Sequence, residues 1–343
     1  MTIFDLVSAN EIASYWTSLP SDEPPYLGET LFPNDKKLGL DLKWIKGANG
    51  AVQVLKPSAF DVSVIPRPRI GFNTIQTEMP FFKESKYIDE TLRQELNRVL
   101  ESGNALYIDA IMRRIFADEV ELIQAARVQR ERMRMSLLTT GAIDIEANGQ
   151  ILSYDYGLPS DHQVNATNPW SDPDSDIMAD VREWQDLIED DTGVRPTRAV
   201  VSRQTWQRML RNKTIVRSVF VLSNGQATMN DARLNAFLMD ELGISVTVYN
   251  KRVKDESGNI YRFIPDDTFI MFPTGQLGTT WFGTTPEESD LMSSNVANVS
   301  IIDTGVAITT MEKADPVQVE TKVSMICLPS FEAADQIIIA DVG

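Results

Sequence analysis

The longest regular pattern in the chain is a stripe of apolar residues that recurs every three or four positions. This spacing is typical of one face of an α-helix. At about 1.5 Å per residue, it predicts a rod of about 50 Å from Leu106 to Leu138. The members of the stripe are Ile108, Ile111, Ile115, Leu122, Ala126, Met133 and Leu137.

The other face of this predicted helix carries charges of both signs, and it is expected to be laced by ion pairs four residues apart. The helical period begins near Ile88, pauses at Gly103 and is predicted to stop at Gly141. The charged residues of this face are Arg113, Arg114, Asp118, Glu119, Glu121, Arg127, Arg130, Glu131, Arg132 and Arg134.

The first 85 residues show a different pattern, with eight of the 17 prolines and several strand-like stretches. Alternation in residues 52–64 and again in residues 70–77 predicts two long strands, joined around residues 65–68. Proline is poorly suited to the middle of a sheet or helix, yet the apolar content is too high for a disordered tail. This segment is therefore predicted to lie on another copy of the chain.

Beyond the long helix, helical and strand-like patterns are mixed without a βαβ rhythm, which indicates an α+β fold. One helix is predicted to begin at Ser175 or Asp176 and to end at Gly193. Further helices are predicted at 205–210 and 230–242, and strands at 199–201, 245–249, 260–264, 268–272, 307–312, 317–328 and 337–341.

Composition narrows the class of protein. A chain of 343 residues with 43% apolar residues can bury a sizeable core and suggests about two domains. No apolar run reaches the ~18 residues of a membrane span, and Met1–Leu19 contains Asp5 and Glu11, so no signal peptide is expected. A net charge of −17 argues against tight binding of nucleic acid.

The charge is distributed in two neighbouring blocks. Residues 141–195 contain 13 acidic residues and two arginines, whereas residues 195–217 contain seven basic residues and no acidic one. Such blocks can pair within a subunit or between subunits, and a merely solvated charged face explains them equally well.

Residues that could carry chemistry are few. His162 is the only histidine and is interpreted as a surface-loop residue; Cys327, the only cysteine, is interpreted as a small buried strand residue. The glycines of residues 275–283 are interpreted as turn residues. No P-loop, dinucleotide fingerprint or paired-histidine motif is present.

The sharpest metal candidate is a cluster of five carboxylates at positions 1, 3, 5, 9 and 12 of a calcium-type loop. Position 6 is Ile177, where that loop requires glycine, and an acidic helix entry explains the same residues. The cluster consists of Asp172, Asp174, Asp176, Asp180 and Glu183. We therefore predict no catalytic, cofactor or metal site.

The order of these parts resembles the major capsid protein E family of tailed bacteriophages, the lambda-like coats with the Hong Kong 97 phage coat fold. The resemblance is carried along the whole chain by several short stretches. These are Leu31-Phe32-Pro33, Ile65-Pro66-Arg67-Pro68, Met79-Pro80-Phe81-Phe82-Lys83-Glu84, residues 261–268 followed by 275–283, and residues 324–339.

The resemblance implies five segments. An N-terminal arm at 1–46 precedes an extended β-hairpin loop at 47–85. A peripheral domain at 86–195 contains the spine helix. An axial domain at 196–303 precedes C-terminal peripheral strands at 304–343.

The implied function is that of a non-enzymatic head protein, which self-assembles through pentamers and hexamers into an icosahedral shell around double-stranded DNA. Implied partners are a separate scaffolding protein, a portal protein and a decoration protein, with assembly in the host bacterial cytoplasm. The alternatives are another phage ring or tube protein, and a metal-dependent intracellular hydrolase that uses residues 172–183.

Overall fold

A computed structural model describes residues 7–19, 25–46, 73–88, 90–102, 105–147, 150–220, 229–255, 258–293, 297–315 and 317–343. The predicted ribbon of the extended loop therefore lies mostly outside the described residues. The α-helices are α1 (Ala9–Ser18), α2 (Leu27–Leu31), α3 (Glu90–Ser102), α4 (Ala105–Thr140), α5 (Ile177–Thr192), α6 (Arg203–Arg211), α7 (Lys213–Val219) and α8 (Asp231–Leu242).

The strands are mostly short, with two long ones near the C-terminus. They are β1 (Asn34–Lys36), β2 (Asp41–Lys46), β3 (Asn73–Glu78), β4 (Phe81–Ile88), β5 (Ala142–Ala147), β6 (Gln150–Asp155), β7 (Gln163–Asn165), β8 (Arg198–Val201), β9 (Ser245–Val248), β10 (Arg252–Lys254), β11 (Ile260–Arg262), β12 (Thr268–Phe272), β13 (Thr280–Phe282), β14 (Asn298–Ile302), β15 (Val306–Ala314), β16 (Val317–Pro329) and β17 (Ile338–Asp341). The mixture confirms the α+β class.

The predicted spine is one continuous helix, α4, of 36 residues. It ends where predicted, because Gly141 adopts a left-handed φ of 71° and its N–H donates to Leu137 O at 3.0 Å. A Cβ at Gly141 would lie 2.8 Å from Leu158 Cβ, so glycine suits this position in two ways. The predicted helix start near Ile88 is confirmed to within two residues, since β4 ends at Ile88 and α3 begins at Glu90.

The chain divides into two compact units. The first comprises Met1–Leu42, Gln76–Met133 and Thr279–Ser330. Its sheet has the order β1-β13-β16-β15-β14, with β4 pairing on β16 beside β13. All pairings are antiparallel except that of β1 with β13. The predicted strand 317–328 is thus the central strand of this sheet.

The second unit comprises Lys43–Ile75, Arg134–Gly278 and Phe331–Gly343. Its sheet has the order β7-β17-β12-β8-β9. Helix α5 has the predicted caps, Asp176 at its N-terminus and left-handed Gly193 at its C-terminus. Its apolar face contributes Trp184, which stacks on Trp170 at a ring-centroid distance of 5.9 Å. This aromatic pair anchors the core between helix and sheet.

The prediction that the apolar arm lies on another copy is wrong for Leu31, Phe32 and Leu42, which are completely buried within their own chain. For Leu38 and Leu40, which are exposed in this chain, it stays a prediction. The arm also completes the sheet of the first unit, because Thr280 N–H donates to Pro33 O at 2.8 Å and β1 runs parallel to β13. An apolar pattern indicates that a segment is covered, but it does not identify the copy that covers it.

Candidate assembly surfaces

The first arm helix is fastened to the sheet and to the spine helix of the first unit. Its first N–H, at Ala9, donates to Thr310 Oγ1 at 3.2 Å. Farther along α1, the Tyr15 ring lies 5.5 Å from the Phe116 ring of α4. One residue later, Trp16 accepts the Arg127 guanidinium over its face at 5.6 Å. Helix α1 is therefore an integral part of the first unit.

A charged network ties the second arm helix to the spine. Arg127 donates to Glu29 of α2 at 3.1 Å, and the buried Glu131 accepts from Gly28 N–H at 3.1 Å. Arg130, which is 2% exposed, donates to Asp303 Oδ2 at 3.0 Å. Buried charges require such partners, so the network fixes the arm, the spine and the turn after β14 in one arrangement.

Glu119 is a further buried ionisable residue of the spine and lies against the sheet. The residue is 3% exposed, near Thr321 of β16 and Lys86 of β4. Burial raises the pKa of Glu119 to about 7, while the Thr321 hydroxyl and the Lys86 ammonium act in the opposite direction. Lys86 also donates to the Asp118 carbonyl oxygen and to Glu121 Oε2, each at 2.7 Å. Because Ile115 and Leu122 are buried on the same helix face as Glu119, this part of the apolar stripe faces the sheet.

The sequence-based interpretation of this charged face needs correction. Glu119, Arg130, Glu131 and Arg134 were predicted to lie on a mixed-sign face with pairs along the helix, but all four are buried. The missed signal is in the stripe itself, which skips one turn between Ile115 and Leu122 and another between Ala126 and Met133. Glu119 and Arg130 occupy those two turns.

The basic block of the second unit is largely paired within its own chain. Arg195 donates to Asp186 at 2.8 Å and also pairs with Glu189, and Lys213 pairs with Asp174 at 2.7 Å. These contacts join the two predicted blocks within one subunit. Other members pair with acids outside the acidic block, namely Arg203 with Asp231 and Arg208 with Asp267.

The interpretation of His162 as a surface residue is wrong. Its side chain is fully buried on a single 3-10 turn, Ser160–His162, although its local sequence is loop-like. Nε2 lies 3.3 Å from Oδ2 of Asp191, in the last turn of α5. A packing position of this kind depends on residues distant in sequence, which a loop pattern does not reveal.

Three carboxylates of the calcium-type pattern have separate structural partners. Asp176 caps α5 by accepting from Ala179 N–H at 3.1 Å, and Asp180 accepts from Trp170 Nε1 at 3.0 Å. Asp174 pairs with Lys213, as described above. Within the described ranges, no group of three or more His, Cys, Asp or Glu side chains converges in a way that could hold a metal ion.

The remaining sequence candidates have structural positions. Cys327 is fully buried in β16, as predicted. Gly275 adopts a φ of 98° in the bend after β12, which agrees with a turn. Among the described residues, no helix combines the length and apolarity that crossing a membrane requires.

A long helix against an antiparallel sheet, an arm fastened to both and a second unit with charged outer faces define a structural subunit of the phage-coat class. Solved structures support this fold. The chain belongs to the phage major capsid protein E family, whose sequence model matches residues 8–342. It is a structural protein of the virion head that assembles with copies of itself into the shell enclosing the phage genome.

The solved structures similar to this chain are distant in sequence. A protein described as the capsid protein of a prophage in E. coli CFT073 has a TM-score of 0.61 at 15% identity, with 98% of this chain and 99% of that chain covered. A phage-related protein from Bordetella bronchiseptica RB50 has a TM-score of 0.57 at 12% identity, with 98% and 97% covered. A chain of the capsid asymmetric unit of Cyanophage A-1(L) has a TM-score of 0.51 at 10% identity, with 93% of this chain and 92% of that chain covered.

These similarities establish the Hong Kong 97 phage coat fold. No curated protein sequence matches the chain significantly. Neither the ring or tube alternative nor the hydrolase alternative receives support from any of these similarities.

Proposed function

We propose that this subunit builds its shell from pentamers and hexamers, with a separate scaffolding protein, a portal protein and a decoration protein as partners, in the cytoplasm of the host bacterium. The observation that carries the proposal is the family match along residues 8–342. The role is architectural, and we propose that the chain has no enzymatic activity.

The integration of the arm supports a separate scaffolding protein. Between Val7 and Leu42, the described arm residues place a helix on the sheet face and add a strand to the sheet edge. They also supply hydrogen-bonding groups to a buried charged network. Removing this segment during assembly would dismantle the first unit. The arm is thus unsuited to serve as a temporary scaffold that is cleaved off.

The five predicted segments, with boundaries after residues 46, 85, 195 and 303, form part of this proposal. The segment 196–303 contributes β8, β9 and β12 to the sheet of the second unit, and β13 and β14 to that of the first. Limited proteolysis of assembled shells, compared with free subunits, tests whether these boundaries are the points that assembly protects.

Assembly is tested by expressing the full chain and separating the products by analytical ultracentrifugation, with and without a co-expressed scaffolding protein. We expect closed shells in negative-stain micrographs when the scaffold is present. A chain that stays monomeric with scaffold present, at every concentration and salt tested, would contradict the proposed function. Ordered tubes or single rings in place of shells would favour the alternative structural role.

We also predict that the shell encloses DNA without binding it tightly. A subunit of net charge −17 repels phosphates unless its basic residues are clustered and unpaired, and most of the basic block is paired internally. Purified subunits should therefore show negligible binding to a fluorescent DNA duplex at physiological salt. Binding that weakens steeply with salt, as several phosphate contacts produce, would refute this prediction.

A further inference from the structure

Resting on the proposed function, we propose that the α6–α7 corner of one subunit docks into an acidic groove between α5 and β7 of a second copy. The contact would use Arg211 and Arg217 as its basic side and Glu183 and Asp190 as its acidic side. This names a specific contact between copies within the shell.

The groove is an open depression on the second unit with a mixed apolar and polar lining. Its volume is about 900 Å³, and its apolar part includes Val164 of β7 and Trp184 and Leu187 of α5. The strand β7 is the terminal strand in its sheet order. On the α5 side, Glu183 and Asp190 are seven positions apart and therefore share one face of the helix. Both are exposed.

The acidic side of the groove remains negatively charged when the ion pairs within the subunit are counted. Asp186, which also lines the groove, pairs with Arg195 at 2.8 Å. Arg182 at the rim pairs with Glu241 at 3.5 Å. In the part of the chain that the structure describes, Glu183 and Asp190 have no ion pair. The groove therefore presents two uncompensated carboxylates above apolar side chains, a surface that suits the aliphatic stem and charged head of arginine.

The matching basic surface consists of exposed residues of the basic block that have no ion pair among the described residues. Arg203, Arg208 and Lys213 have acidic partners within the chain. Arg195 is paired as well, and Arg198 is only partly exposed. Arg211 at the end of α6 and Arg217 in the last turn of α7 are exposed, and neither has an ion pair among the described residues. The corner is held rigidly, because Asn212 caps α7 and donates to Ser175 O at 2.8 Å.

The corner and the groove are different patches of the same chain, and the proposed contact between them is head-to-tail, not a reciprocal two-fold pair. Each subunit then offers its basic corner to one neighbour and its groove to the other, and such contacts close into rings when the rotation permits. Opposite charges across the contact would also orient the approaching subunits before they touch.

The test uses two charge-reversal variants, E183K/D190K and R211E/R217E. We expect each, alone, to need an about tenfold or higher subunit concentration for half-maximal assembly, because like charges then face each other. Mixed in equal amounts, the two should again form hexamers, whereas a ring of five has an odd number of contacts and keeps at least one mismatch. In an alternating hexameric ring, every altered corner meets an altered groove, and every unaltered corner meets an unaltered groove. Native mass spectrometry of the hexamers should show both chains in equal numbers.

Net charge is controlled by E183K/D190K/R252E/K254E, which has the charge of the original chain but leaves the contact mismatched. This variant should not assemble as the mixture does. Circular dichroism of every variant excludes misfolding as the cause. The docking is overturned if either reversal assembles like the original chain, or if the folded variants fail to rescue each other. In both cases an original chain that forms shells leaves the proposed function standing.

Discussion

Glu119→Gln is expected to stabilise the first unit at pH 8 and to have little effect at pH 5. The carboxyl is buried between the spine helix and the sheet, and its pKa rises from 4.5 to about 7 on folding. Between those values the folded chain binds more protons than the unfolded chain, so stability falls as pH rises through this window and stays low above it. A shift of this size corresponds to about 3 kcal/mol, and the neutral amide does not carry this penalty.

Hydrogen exchange of α4 and β16, measured at the two pH values, reports on the first unit alone and avoids assuming that both units unfold together. Glu121→Gln is the matched control. Glu121 is exposed on the same helix, and its pKa is lowered by its hydrogen bond to Lys86. Its replacement should have a small effect of opposite sign. Equal protection of the original chain and Glu119→Gln at pH 8 would show that the burial of Glu119 has no energetic consequence.

The elements that could be predicted from sequence are those determined by neighbours along the chain. The spine helix follows from its period, and its stop follows from Gly141, where a left-handed φ favours glycine. Helix α5 follows in the same way from Asp176 and Gly193. Each of these signals is complete within a few residues, so distant packing does not alter it.

The positions that could not be predicted depend on partners far along the chain. Glu131 is buried because Gly28, 103 residues away, donates to it, and Arg130 is buried because Asp303, 173 residues away, accepts from it. Charged residues are rarely buried without such partners. A helical wheel therefore assigned them to solvent, although Arg130 fills a gap in the apolar stripe.

The same limit applies to the candidate assembly surfaces. The two charge blocks were visible in the sequence, but it did not show which members were already paired within the chain. The structure shows that Arg211 and Arg217 are the exposed arginines of the basic block that have no ion pair among the described residues. For this reason, a reversal that includes Arg208 would confound folding with assembly, since Arg208 pairs with Asp267.

Asp303→Asn is expected to destabilise the first unit by about 2–3 kcal/mol, since it leaves Arg130 buried without its carboxylate. The full penalty of a broken buried pair is discounted because the Asp303 side chain is 30% exposed. Asparagine tolerates the φ of 44° at this position, so the backbone should be unaffected. Hydrogen exchange of α2 and α4 should show faster opening of both, because Asp303 also lies 3.8 Å from Arg127, which holds Glu29.

Arg130→Met, combined with Asp303→Asn, separates the loss of a partner from the loss of the pair. Methionine removes the uncompensated charge and can keep contact with Phe282, over whose ring the guanidinium lies at 5.5 Å. The double variant should therefore be more stable than Asp303→Asn alone, a non-additivity that a double-mutant cycle measures directly. Asp240→Asn on the exposed face of α8 is the control and should change stability by less than about 0.5 kcal/mol. If the two losses simply add, Arg130 does not depend on Asp303, and the network is not what holds the arm to the spine.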